Sequence, residues 1–167
     1  MPSPSLSFCL FREFTMLEIN TPVPDLDLVD ATGAPVRLHD YLDRTHVLLY
    51  FMRATTCPVC VRHVRDLARH VDEYAALGAR IVVVVPEGLA TARAWAARQA
   101  LPFPVVTGAH GSPHEAVGLL RTVFGAVQQS GTILVDPAGL VRYIKAATLP
   151  TAGYDRAAVL RALTALR

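Results

Sequence analysis

The stretch His46-Val-Leu-Leu-Tyr-Phe-Met-Arg-Ala-Thr-Thr-Cys-Pro-Val-Cys60 decides how the rest of the chain reads. Val47 to Met52 is a run of large apolar residues, which predicts a buried strand. Arg53-Ala-Thr-Thr56 is a short polar turn, and Cys57 opens a segment with helical periodicity. A Cys-x-x-Cys at a strand-to-helix junction places a thiol where backbone N–H groups point outward and the helix dipole is positive. Such a site favours thiolate, the reactive form of sulfur.

The helix phase separates the two cysteines. Positions 57, 60, 64, 67, 71 and 74 lie along one face, and Val64, Leu67, Val71 and Tyr74 make that face apolar. Cys60 falls inside the start of the stripe, and Cys57 lies at the helix mouth. Pro58 suits the first helical turn, where a missing N–H costs nothing. Cys57 is therefore expected to be the exposed, attacking sulfur and Cys60 the buried, resolving one. Thr56 is the expected N-cap. Two inert buried cysteines, or half of a metal site, are the plainer readings. A CxxC beside a βαβ pattern favours redox chemistry.

Composition narrows the class. The chain has 167 residues, 52% of them apolar and 18% charged, which suits one globular domain with a substantial core. A net charge of +2 is too small to suggest nucleic acid or a membrane surface as a partner. No run approaches the roughly 18 apolar residues that a spanning helix needs. Three cysteines make no disulfide framework; the clustered pair suits a reducing compartment, and a cytoplasmic location is expected. Met1 to Thr15 makes a poor signal peptide, since Arg12 and Glu13 interrupt its apolar stretch. It is expected to be a loosely ordered extension carrying an incidental Cys9, with Met16 a plausible start and 16–167 the domain.

Going outward, Leu26–Val29 and Pro35–Leu38 flank a Gly-containing turn and predict a small hairpin. Arg80–Val85 is β-branched without alternation, as in a strand covered on both faces. Helices are expected over 57–78, 90–100, 115–123 and 155–166, and further strands over 103–106, 132–135 and 140–144. Alternating β and α units imply an α/β domain with a mixed, largely parallel sheet and helices on both faces.

Four pieces carry a family resemblance: Asp25-Leu-Asp-Leu-Val-Asp-Ala-Thr-Gly33, Leu49-Tyr-Phe-Met-Arg53, Cys57-Pro-Val-Cys60, and Gly131-Thr-Ile-Leu-Val-Asp-Pro-Ala-Gly-Leu-Val-Arg142. From about Pro24 onward the chain resembles the peroxiredoxin-like, AhpC/TSA branch of the thioredoxin fold. The phrase Phe-x-Arg-x-x-x-Cys-Pro-x-Cys is similar to the redoxin subgroup with a CxxC in the active-site turn. The resemblance implies a thioredoxin-like fold with an N-terminal hairpin and a thiol-dependent antioxidant oxidoreductase that reduces hydroperoxides through a Cys57–Cys60 dithiol/disulfide cycle. It also implies a thioredoxin-like or other thiol reductant, allows a homodimer, and calls for no cofactor and no metal.

The chain departs from the family at defined places. Members typically have Pro-x-x-x-Thr-x-x-Cys; Tyr50 and Ala54 stand where the Pro and Thr belong. An Arg usually precedes the strand after the central crossover, and Ser130 stands there. Thioredoxins have a cis-Pro where this chain has Gly131. Arg53 and Thr56, or Thr55, are the expected substitutes, so the candidate catalytic set is Cys57, Cys60, Arg53 and Thr56.

Other chemistries fit less well. Structural zinc needs four ligands, and there is no second CxxC. His63 lies off the Cys60–Val64 stripe and is expected to be solvated, sharing an exposed face with His70; His110 and His114 lie in a polar loop. Cys-x-x-Cys-x-x-His also resembles the AhpD-type motif, but that motif lies between helices with one more intervening residue. A protein disulfide oxidoreductase, or a redox-inactive partner-binding module of the same fold, are the alternative functions.

Overall fold

The structure, a computed structural model, describes residues 17–167. The expectations for the first fifteen residues, Cys9 and Met16 lie outside that range. Seven strands form one sheet in the order β2-β1-β5-β4-β3-β8-β9. They are β1 (Asp27–Asp30), β2 (Pro35–Arg37), β3 (His46–Phe51), β4 (Ala79–Val84), β5 (Val105–Gly108), β8 (Ser130–Val135) and β9 (Val141–Ala147). A small separate hairpin pairs β6 (Arg121–Thr122) with β7 (Val127–Gln128). The helices are α1 (Pro58–Arg69), α2 (Val71–Ala76), α3 (Leu89–Gln99), α4 (Pro113–Ala116) and α5 (Arg156–Ala165). This is a mixed-sheet, thioredoxin-like α/β fold.

The apolar run of β3 makes it the centre. It runs parallel to β4 and antiparallel to β8, so every residue from Val47 to Phe51 is fully buried. Strand alternation sends Leu48 and Tyr50 to one face and Val47, Leu49 and Phe51 to the other. The first face packs with Cys60, Val64 and Leu67 of α1, Tyr74 of α2, Ala92 and Trp95 of α3, and Val159 and Leu163 of α5. The second packs with Val23, Leu26, Leu38, Leu42, Val117 and Leu119. The four longer helices thus bury against one face. The other is covered mainly by the entry segment, the Leu38–Tyr41 turn and the residues around α4, which corrects the expectation of helices on both faces.

Three further differences have physical causes. Parallel pairing is confined to β3–β4 and β4–β5, because the hairpin β1–β2 joins β5 antiparallel and β8 returns antiparallel beside β3. The CxxC helix is broken at His70 (φ −112°, ψ 18°), whose Nδ1 bonds the Asp66 carbonyl at 2.8 Å; α2 resumes in a phase that still buries Tyr74. The helix expected over 115–123 lasts only to Ala116. Gly118 takes φ 81°, open to glycine without strain, and turns the chain into β6.

Candidate active site

The site is built where β3 ends and α1 begins. Met52 N–H still bonds the sheet, donating to the Val84 carbonyl at 2.9 Å. The next residues form a turn held from outside: Thr55 N–H and Oγ1 both donate to Glu87 Oε1, at 2.7 and 3.0 Å. Cys57 N–H donates to the Ala54 carbonyl at 3.2 Å and closes the turn. Cys57 itself is the N-cap of α1, in extended backbone (φ −74°, ψ 112°), and its Sγ accepts from Cys60 N–H at 3.4 Å. This corrects the N-cap expectation for Thr56, which is exposed. Thr55 is the buried threonine. The Cys60 N–H thus aims a hydrogen-bond donor at the Cys57 sulfur.

The two sulfurs have opposite surroundings. Cys57 is half-buried and Cys60 fully buried, both are free thiols, and the two residues approach to 2.9 Å. Burial pushes the Cys60 thiol well above the ordinary cysteine range, and its contact with Cys57 adds to this. The Arg53 backbone N–H and the Tyr50 side chain act the other way. Burial also raises the Tyr50 hydroxyl, with the cysteine sulfurs contributing.

Tyr50 occupies the place where the family has proline. Its hydroxyl lies 2.9 Å from Nδ1 of His63, which is half-buried rather than solvated. His63 stands three residues after Cys60, close to the same helix face, and the chain before α5 covers it: its ring centroid is 5.4 Å from that of Tyr154. Burial, then Arg62, holds the imidazole below its usual range, with Asp66 opposing. Tyr154 extends the polar cluster, bonding the Tyr74 hydroxyl at 2.6 Å and Asp66 Oδ2 at 3.2 Å.

The other expected residues separate. The Arg53 guanidinium donates to the Thr148 carbonyl, which ties the active-site turn to the segment after β9. Gln129 Nε2 reaches the same residue at its hydroxyl, 3.3 Å away. Arg53 and Ala54 line a cleft of about 400 Å³ with Pro86, Glu87, Arg121, Ala126, Val127 and Gln128. His114 is fully buried and bonds the Met52 carbonyl at 2.7 Å, while exposed His110 lies in another surface depression. Ser130 is buried, with its Oγ against Gly153. At Gly131 an added Cβ would come 2.6 Å from the Lys145 carbonyl oxygen, so the backbone packing leaves no room for a side chain. Among the described residues no group of three or more His, Cys, Asp or Glu is placed to hold a metal ion.

A family model described as AhpC/TSA family matches residues 19–144. The chain belongs to the AhpC/TSA family. It is 26% identical over 121 residues to chloroplastic peroxiredoxin Q of Triticum aestivum, covering 72% of this chain and 55% of the relative. Against chloroplastic peroxiredoxin Q of Arabidopsis thaliana it is 25% identical over 131 residues, covering 78% of this chain and 60% of the relative. The chain thus spans less than two thirds of the length of these relatives. Its fold is similar to the crystal structure of peroxidoxin BcpB from Mycobacterium tuberculosis, with a TM-score of 0.79, 23% identity, and coverage of 90% and 99% of the two chains. It is also similar to bacterioferritin comigratory protein of Xanthomonas campestris, described for alkyl peroxide reduction, with a TM-score of 0.74, 23% identity, and coverage of 90% and 97%.

Sequence reasoning missed Glu87, which holds the turn; Tyr50 as a polar partner of Cys60; His63; and Arg121 in the cleft. The signal for His63 was its i,i+3 spacing from Cys60, outweighed by its place off the apolar stripe.

Proposed function

We propose that the chain is a thiol-dependent peroxidase that works through Cys57 and Cys60. The observation that carries this is a half-exposed sulfur capping a helix, with a second, buried sulfur in reach behind it. In the first step Cys57 thiolate attacks one oxygen of a hydroperoxide. An S–O bond forms, the O–O bond breaks, and the leaving alkoxide takes a proton to become an alcohol or water. In the second, Cys60 attacks the sulfenic sulfur; the S–S bond forms and hydroxide leaves as water. An external dithiol of the thioredoxin type then reduces the disulfide by exchange and leaves oxidised. The relatives named peroxiredoxin support this reading.

Arg53 is proposed to place positive charge in the cleft where the peroxide approaches, and Thr56 to offer its hydroxyl at the rim. A cytoplasmic location and a homodimer belong to the same proposal. Cell fractionation and sedimentation test them.

Protein disulfide oxidoreduction is the second reading. It is favoured by Tyr50, Ala54 and Ser130 at places where the family has its Pro, Thr and Arg, and by the guanidinium of Arg53 being engaged at Thr148. Stopped-flow mixing of the reduced protein with hydrogen peroxide, an alkyl hydroperoxide and oxidised thioredoxin decides between the two. Faster reaction with the hydroperoxides supports the peroxidase, and faster reaction with the disulfide supports the alternative. Mass spectrometry should find a Cys57–Cys60 disulfide after peroxide. In Cys60→Ser it should find sulfenic and then sulfinic acid at Cys57. Absence of any peroxide product at Cys57 overturns the proposal.

A further inference from the structure

The resolving thiol poses a chemical problem of its own. Cys60 must lose a proton to attack, yet it is fully buried, and burial holds its thiol protonated at neutral pH. The groups facing it are Cys57, the Arg53 backbone N–H and the Tyr50 side chain. Tyr50 is fully buried on the same face of β3 and in the same core cluster. Beyond Tyr50 lies His63 Nδ1 at 2.9 Å, and His63 is only half-buried. Tyr50 thus shares the buried cluster of Cys60 and connects by a hydrogen bond to a residue that reaches the protein surface.

We propose that Tyr50 and His63 form a proton relay that deprotonates Cys60 as it closes the disulfide with Cys57, and reprotonates it when the disulfide opens. The inference rests on the dithiol/disulfide cycle, whether the oxidant is a peroxide or a disulfide. As the Cys60 S–H proton passes to Tyr50 Oη, the phenol hands its own proton to His63 Nδ1. The S–S bond forms, the group on Cys57 leaves with its electron pair, and the imidazolium returns the proton to solvent. In reduction the external thiolate attacks Cys57, the Cys60 sulfur leaves, and the proton moves back along the same line.

The transfer to His63 runs uphill by itself and is driven by formation of the S–S bond. A buried phenol resists carrying negative charge, so Tyr50 passes a proton on without storing the vacancy. His63 is held below the ordinary imidazole range and so is neutral at pH 7, and the relay uses the tautomer with its proton on Nε2. The groups facing His63 are Arg62 and Asp66 on its own helix, Tyr50 from β3, and Tyr154 from the segment before α5. Asp66 also bonds the Tyr154 hydroxyl, which steadies the ring packed on His63.

The test separates the two sulfurs without using peroxide. In a Cys9→Ser background, dithiobis(nitrobenzoate) reacts with Cys57 and releases one coloured thiolate. Attack by Cys60 on that mixed disulfide releases a second. The first phase reports Cys57 and the second reports the relay. Tyr50→Phe and His63→Gln should each slow the second phase about tenfold or more at pH 7, and the double variant should be no slower than either. In the parent the second phase should fall as pH drops through the lowered His63 pKa. In His63→Gln that acid limb should vanish, and the rate should instead climb with pH toward the raised range of the Cys60 thiol. Tyr50→Phe removes one oxygen, and its melting curve verifies that it folds. Second-phase rates and pH profiles like the parent's in both variants overturn the relay. A slower phase with an unchanged pH profile also overturns it, as a purely structural effect. Failure of the peroxidase reading shows separately, as no sulfenic acid with hydroperoxide, and leaves this result standing.

Discussion

The two faces of β3 each hold a histidine, and they are put to different uses. On the helical face His63 is half-buried and bonds the hydroxyl of Tyr50, which shares the core cluster of Cys60. On the opposite face His114 is fully buried, bonds the Met52 carbonyl and packs edge-on against Phe51, with ring centroids 5.1 Å apart. A backbone carbonyl neither gives nor takes a proton in use, so His114 pins the end of the strand. A hydroxyl next to a thiol can pass protons, and the open side of His63 can exchange them with water. The partner and the solvent access, more than the residue type, separate a structural histidine from a chemical one.

The largest expected effect is on the reacting sulfur. Cys57→Ser should abolish peroxide and disulfide turnover to background, because no other described thiol lies at the helix mouth. Turnover at the parent rate would remove the chemical face from the comparison altogether.

Next comes acid stability, which should divide the two histidines. Burial lowers the pKa of His114 from 6.5 to about 4. The unfolded chain therefore binds a proton at higher pH than the folded one. Stability is fully present above about pH 6.5, falls as pH drops from there toward 4, and levels off below that. The loss from this group is about 3 kcal/mol. Urea unfolding at pH 7 and pH 4 should show it in the parent and in His63→Gln, and much less of it in His114→Gln. An equal loss in all three proteins would mean that His114 is not the buried neutral group described.

The same contrast marks what the sequence could disclose. The apolar run from Val47 to Met52 and the β-branched run from Arg80 to Val85 announced β3 and β4, because strands buried on both faces need no alternation. Helix phase correctly put Cys60 inside and Cys57 at the mouth, since both follow from local periodicity. The histidines escaped because their partners are distant in sequence: Tyr50 is 13 residues from His63, and Met52 is 62 from His114. The short hairpin β6–β7 escaped as well. It lies apart from the main sheet, and Val123 and Phe124 at its tip both take φ 53°, a conformation that neither residue type advertises.

The smallest effect concerns two adjacent threonines. Thr56 was the natural N-cap on local grounds, but Glu87, 32 residues from Thr55, makes Thr55 the anchored one. Thr55→Val keeps the shape and the N–H bond to Glu87 Oε1, losing only the hydroxyl bond of 3.0 Å. It should cost about 1 kcal/mol, the usual net worth of one such bond. Half-buried Glu87 loses one of two donors, and its buried Oε2 already lacks a partner, so compensation from within the protein is limited. Thr56→Val touches an exposed side chain and should stay within about 0.5 kcal/mol of the parent. Urea midpoints at pH 7 measure both. If Thr56→Val proves the costlier change, the turn before Cys57 is held by a local cap after all, and Glu87 loses its place in the site.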